Sequence, residues 1–248
     1  MTHRHVSTYG YRAKLGLIVP PTNTVNEAEW TRTVPEGVSF HTHRMKLHSD
    51  TASEAGRAAL MDDLAEVFAM IKPARVDAIA YACTAGSMIS PPERLEEELG
   101  ARTGVPAVTT SAAIIRALKT LGVKRLSVAT PYAEKLNEHE THFLSDNGFE
   151  VLSLQGLGIG RDGPQDYIRI AETPIGQVEA HVRAAVVEGS DAILITCTDF
   201  PTLELIEKLE SDYGLPVVTS NQATLWAMLR LTGIDDRPAG LGRLVAEH

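Results

Sequence analysis

Apolar positions in this chain gather into short runs, each stopped by a polar turn and followed by a segment of helical spacing. The runs 15–19, 76–82, 107–109, 126–129, 192–196 and 217–219 are almost wholly apolar. Such runs predict strands buried on both faces of a parallel sheet. The segments 38–47 and 150–157 read as further strands. Ala58, Leu60, Leu64, Val67, Met70 and Ile71 recur at helical spacing and predict a helix over 53–71. Helices are also predicted over 25–31, 91–103, 111–121, 132–147, 175–188, 202–213 and 221–231. The segment from 158 to about 166 reads as a loop, and so does the tail that ends in Gly240-Leu241-Gly242. Strands alternating with helices point to an α/β fold built on mainly parallel sheets with helices on both faces.

The pattern occurs twice. DAIAYACTAGS (77–87) matches DAILITCTDFP (191–201), GVPAVTTSAAIIRAL (104–118) matches GLPVVTSNQATLWAM (214–228), and LGLIVPP (15–21) matches RLSVATP (125–131). A period of about 110 residues is too long for a solenoid repeat. It predicts two similar lobes related by a pseudo-twofold axis, with a cleft between them. The first lobe is read as 12–110, completed by 221–248, and the second as 111–220.

A net charge of −9 and the lack of any basic cluster argue against a nucleic-acid surface. No apolar run approaches the roughly 18 residues of a membrane span, and the N-terminal residues lack the apolar core of an export signal. They read as a frayed lead-in to the first strand. These features predict a cytoplasmic protein, where Cys83 and Cys197, the chain's two cysteines, stay reduced rather than paired. Two thiols are too few for a structural metal site. His41 and His43 share one face of a strand but lack a third ligand nearby in sequence, and His139 and His142 read as solvated helix positions. Gly158, Gly160 and Gly163 match a dinucleotide fingerprint in letters only, because Pro164 follows and no helix opens there. Asp77 and Asp191 precede buried strands, where turn or cap roles suffice.

Ligands of open parallel sheets bind beyond the carboxyl ends of the strands. Four such ends carry short polar turns: PPTN (20–23), CTAGS (83–87), TPY (130–132) and CTDFP (197–201). Each precedes a predicted helix, so free backbone N–H groups would converge on a small carboxylate. None of the four turns holds Arg or Lys. A thiol at a helix N-terminus tends to have a lowered pKa. Two thiols facing one carbon can divide the work of base or nucleophile and acid. The alternative for each is a small buried core residue. Their equivalent places in a duplicated unit favour chemistry.

These segments, with VPPTN and TPYAEKLNE, resemble the aspartate/glutamate racemase superfamily, and within it the maleate cis–trans isomerase and arylmalonate decarboxylase branch. The resemblance runs over nearly the whole chain. It implies a cofactor-independent, metal-free isomerase acting on a small (di)carboxylate, working as a homo-oligomer (dimer or tetramer) with no nucleic-acid or membrane partner. It implies that Cys83 adds to the alkene of maleate and that Cys197 protonates the neighbouring carbon. Asn23 and Tyr132 match carboxylate-binding positions, and Thr84 and Thr198 would supply donors. The branch's decarboxylases keep only the second cysteine, so Cys83 argues against decarboxylation. Asp162 stands where the isomerases carry an Asn, and an anion there repels a dianion unless it is protonated or turned away. Asp162 or Asp199 could instead face a substrate ammonium, which keeps an amino-acid racemase open. A non-catalytic carboxylate-binding protein is the third reading.

Overall fold

Two parallel four-stranded sheets of the same topology organise the chain. The first contains β1 (Ala13–Val19), β2 (Val38–Arg44), β3 (Ala78–Tyr81) and β4 (Ala107–Thr109), in the order β2-β1-β3-β4. The second contains β5 (Arg125–Tyr132), β6 (Glu150–Ile159), β7 (Ala192–Ile195) and β8 (Val217–Thr219), in the order β6-β5-β7-β8. The structure, a computed structural model, describes residues 4–48, 51 and 53–248. The first three residues of the lead-in therefore lie outside the described residues.

The helices are α1 (Asn26–Thr33), α2 (Glu54–Ile71), α3 (Thr84–Ser87), α4 (Glu93–Thr103), α5 (Thr110–Thr120), α6 (Glu134–Asp146), α7 (Ile168–Ala171), α8 (Ile175–Ala185), α9 (Ile206–Tyr213), α10 (Ser220–Leu231) and α11 (Gly242–Glu247). Strand alternation sorts the core into three layers. Leu15, Leu17, Ala78, Ala80, Leu126, Val128, Ala192 and Leu194 turn inward and meet α5 and α10, which pack on each other in the middle. Ile18 and Ile79 turn outward under α2 and α4, against Leu60, Leu64, Phe68 and Leu95. Ile193 and Ile195 do the same under α8 and α9, against Val178, Val182, Ile206 and Leu209. Each Leu or Ile so buried stabilises the fold by roughly 1.5–3 kcal/mol.

The two Asp-led runs have one mechanical role. The Asp77 carboxylate accepts the Lys14 N–H at 2.8 Å, and that of Asp191 accepts the Arg125 N–H at 3.0 Å. Each pins the start of a central strand beside the first strand of its sheet. Glu96 and Glu210 repeat the device one strand on, taking the Thr109 and Val217 N–H groups at 2.7 and 3.0 Å.

Several sequence expectations change. The tail is not loop: α11 buries Leu244 and Val245 against β8, α9 and α10. Glu210 holds its start by accepting the Arg243 N–H at 3.0 Å. The lead-in is tied down, because His5 Nε2 lies 2.8 Å from Asp77 and Arg4 donates to the Thr232 carbonyl at 2.9 Å. Tyr132 ends a strand rather than opening a helix. The Thr130 hydroxyl donates to Asn137 Oδ1 at 2.6 Å, and Asn137 Nδ2 donates to the Tyr132 carbonyl at 3.1 Å, which delays α6 to Glu134. Among the described residues no helix is long and apolar enough to cross a membrane.

Candidate active site

Cys83 and Cys197 occupy the same place in the two lobes, just beyond the central strands β3 and β7. Both are free and buried, 6% and 9% exposed. Cys83 caps α3, where its sulfur accepts the Gly86 N–H at 3.4 Å. Cys197 is held differently. Its φ of +98° lies in the left-handed region, unusual for a side chain with a Cβ. Such a conformation costs on the order of 1–3 kcal/mol. The Cys197 N–H donates to Ser220 Oγ at 3.0 Å, and that hydroxyl also lies 2.9 Å from the Thr84 hydroxyl. One serine on α10 thus spans the turns that carry the two thiols.

Each thiol has its own phenol. The Tyr81 hydroxyl lies close to the Cys83 sulfur over Gly86, and the Tyr132 hydroxyl acts on the Cys197 thiol. The sequence reading expected thiols of lowered pKa at helix N-termini, but enclosure outweighs those donors. Burial pushes the Cys83 thiol up, with the Gly86 amide and the Tyr81 hydroxyl pulling it part of the way back. Burial pushes the Cys197 thiol up to about 12. The Tyr132 hydroxyl and the Asp199 amide oppose this rise, while the charges of Asp199 and Cys83 add to it.

The neutral binding residues span the cleft. Asn23 Nδ2 donates to Thr198 Oγ1 at 3.1 Å, and that hydroxyl donates to the Ala82 carbonyl at 3.0 Å. A second bridge runs from Asn26 Nδ2 to Asn221 Oδ1 at 2.8 Å and from Asn221 Nδ2 to Glu29 at 2.7 Å. Glu29 also accepts the N–H groups of Thr202 and Leu203 at 2.7 and 2.8 Å. Asn23, Thr84, Tyr132 and Thr198 are therefore gathered around the two cysteines. Asp162 is exposed on the turn after β6, where its carbonyl accepts from Gln165.

Four groups that sequence reasoning did not assign border the site. Tyr81 is one, and Ser220 is another. Tyr167, in the 3-10 turn Pro164–Tyr167, is half-buried, and the charges of both thiols, after burial, raise its pKa. Its ring packs on Gly160, where a Cβ would come within 2.3 Å of it. Glu140 on α6 is 2% exposed and accepts the Thr196 hydroxyl at 3.1 Å. Burial lifts Glu140 to about 7, against that one bond. Asp199, noted in the sequence as an anion beside Cys197, uses Oδ1 to accept the Thr24 and Val25 N–H groups at 2.8 and 3.3 Å. Its Oδ2 is buried without a partner. Burial raises this carboxyl to about 6, opposed by those two amides and by the charge of Arg44.

His139 is not simply solvated, since its Nε2 lies 3.1 Å from the Met88 carbonyl across the lobe boundary. His41 lies near Ser39 Oγ at 3.2 Å and His43 near the Arg44 carbonyl at 2.6 Å. Among the described residues no cluster of three His, Cys, Asp or Glu is placed to hold a metal ion. An open groove of about 410 Å³ between α6 and β6 is lined by Tyr132, Asn137, Gly156 and Arg161 but by neither cysteine.

The family model of arylmalonate decarboxylase matches residues 15–245. The maleate isomerase of Nocardia farcinica is 29% identical over 247 residues, covering 94% of this chain and 96% of that protein. The arylmalonate decarboxylase of Bordetella bronchiseptica is 36% identical over 148 residues, 58% of this chain and 60% of that protein. Among solved structures, the maleate isomerase Iso from Pseudomonas putida S16 superposes with a TM-score of 0.84 at 27% identity, covering 95% of this chain and 98% of that one. A cysteine-to-serine mutant of the N. farcinica maleate cis–trans isomerase, with a covalently bound succinylcysteine intermediate, superposes with a TM-score of 0.83 at 26% identity, covering 95% of this chain and 99% of that one.

Proposed function

The chain belongs to the arylmalonate decarboxylase family, and within it we propose that this protein is a two-cysteine isomerase converting maleate to fumarate. One observation carries the reading: two free, buried thiols just beyond the equivalent strands β3 and β7 of the two lobes. The Cys83 thiolate adds to one alkene carbon, and Cys197 donates its proton to the neighbouring carbon. The former double bond is now single and rotates. The Cys197 thiolate then removes the proton, Cys83 leaves as thiolate, and fumarate forms. Atoms and charge balance over the cycle, so neither cofactor nor metal is required.

In this reading Asn23 and Tyr132 hold the substrate carboxylates, and Thr84 and Thr198 supply further donors. Asp162 stands at the outer rim, where solvent screens its charge. Lobes of 12–110 with 221–248, and of 111–220, close around the substrate. The enzyme works in the cytoplasm as a homo-oligomer, a dimer or tetramer.

The orphaned Asp199 Oδ2 beside Cys197 favours one second reading. That carboxylate would suit a substrate ammonium, and the two thiols would then exchange an α-proton of an acidic amino acid. Proton NMR of the reduced protein in D2O, with maleate in one tube and L-aspartate in another, separates the two. Fumarate that is lost with Cys83→Ser supports the isomerase. Deuterium entering the aspartate α-position without fumarate replaces it with the racemase. Silence in both tubes overturns both substrates.

A further inference from the structure

We propose that Tyr81 is the positioning residue of Cys83, its hydroxyl holding the sulfur in place and donating to the thiolate as Tyr132 does for Cys197. The two pairs share a layer position but come from different strands. Tyr81 on β3 precedes Cys83, and Tyr132 ends β5, beside the β7 strand that leads to Cys197. Tyr81 and Cys83 belong to the outer layer under α2 and α4, while Tyr132 and Cys197 belong to the outer layer under α8 and α9. Tyr81 ends β3, 3% exposed, and Tyr132 ends β5, 4% exposed.

Gly86 makes the first pairing possible. A Cβ at that position would lie 2.2 Å from the Tyr81 hydroxyl and 3.1 Å from the Cys83 sulfur, so phenol and thiol meet over the one residue that leaves room for both. The Gly86 N–H donates to the same sulfur at 3.4 Å. No cation touches either thiol in the hydrogen bonds and ion pairs of the described residues, which leaves neutral donors to support a thiolate in an enclosed cleft. A hydrogen bond to the charged form lowers a thiol pKa. Burial drives the phenol of Tyr81 well above 10, so it stays a proton donor throughout the working range.

The test titrates each thiol alone. In a Cys197→Ser background Cys83 is the only cysteine, and its alkylation by iodoacetamide is followed against pH by mass spectrometry. Tyr81→Phe is expected to move the midpoint up by about one pH unit, while Tyr132→Phe leaves it nearly in place. In the Cys83→Ser background the roles reverse. Gly86→Ala, which drives a methyl into the Tyr81 hydroxyl, is expected to shift Cys83 in the same direction as Tyr81→Phe. This variant stands as the second test where Tyr81→Phe folds poorly. An unchanged Cys83 midpoint in both variants overturns the assignment, and so does an equal shift of both thiols, which would mean general loosening.

The kinetic arm rests on the proposed isomerase reading. With Cys197 restored, Tyr81→Phe should lower kcat on maleate by about tenfold and leave KM within about twofold. If the parent does not turn over maleate, that reading fails while the thiol titration still decides the role of Tyr81.

Discussion

Thr196 donates its hydroxyl to Glu140, with Oγ1 3.1 Å from Oε2, one residue before Cys197. A carboxyl on α6 is thereby fixed beneath the second thiol, and its charge reaches the Tyr132 phenol. Enclosure holds Glu140 neutral to about pH 7, whereas a free glutamate titrates near 4.5.

That difference sets a pH dependence of stability. Between pH 4.5 and about 7 the unfolded chain ionises Glu140 while the folded chain keeps the proton. Stability is therefore full below the unfolded pKa and falls as pH rises through the folded one. The loss amounts to about 3 kcal/mol for this group. Glu140→Gln keeps an acceptor for Thr196 and cannot ionise. Thermal melts should show the variant close to the parent at pH 4 and several degrees more stable at pH 8. A constant offset at both pH values would mean that Glu140 does not titrate in this range.

The bridge between α1 and α10 makes a separate prediction. Asn221→Ala removes the acceptor of Asn26, one donor to Glu29 and the donor to the Thr198 carbonyl at 3.1 Å. Glu29 is buried, and burial already raises its pKa against the donors that remain. The expected cost is roughly 2–4 kcal/mol, read as a lower urea midpoint with an unchanged m-value. A change below about half a kcal/mol, within the range of ordinary surface substitutions, would show that water takes over these bonds.

What the sequence carried of this site follows from what repeats and what does not. Central strands such as β3 and β7 are legible because no polar residue interrupts them, and the paired Asp-led runs mark where each one starts. The tail helix α11 was hidden because its few apolar residues follow Pro238 and Gly240. Packing and the Glu210 carboxylate hold it, not a long amphipathic pattern. Ser220 and Asn221 could have been found from the aligned segments after β4 and β8. Ser111, the counterpart of Asn221 in that alignment, likewise faces the first turn, donating its N–H to Ser87 Oγ at 3.1 Å. The pairing of Tyr81 with Cys83 had no such signal, since a tyrosine at the end of an apolar strand reads as core. Thiol acidity was misjudged because helix position is visible in sequence and enclosure is not.

Trapping offers a direct view of the first chemical step. Cys197→Ser leaves Cys83 and its donors in place but removes the thiol that the proposed cycle uses as acid and base. Incubation with maleate should leave a stable adduct on the Cys83 peptide, heavier by one maleic acid in intact mass. Fumarate should then form at least about a hundredfold more slowly than in the parent. An adduct found on no cysteine, with turnover retained, would remove the covalent route.

Asp199 decides how the site treats charge as pH changes. Its carboxyl, raised by burial to about 6, is neutral below that value and anionic above it. The anion faces the Cys197 sulfur, where it disfavours both a thiolate and a dianionic substrate. The KM for maleate should therefore climb as pH rises through 6. Asp199→Asn retains an oxygen for the Thr24 and Val25 amides and places an NH2 group where Oδ2 now lacks a partner. Its KM should match the parent at pH 5 and fall about three- to tenfold below it at pH 8. If the second reading holds instead, the same substitution should abolish α-deuterium exchange in L-aspartate, because the ammonium loses its counter-charge. Parallel KM profiles for parent and variant would show that the Asp199 charge does not reach the substrate, and would leave its orphaned oxygen as a purely structural feature of the α1 turn.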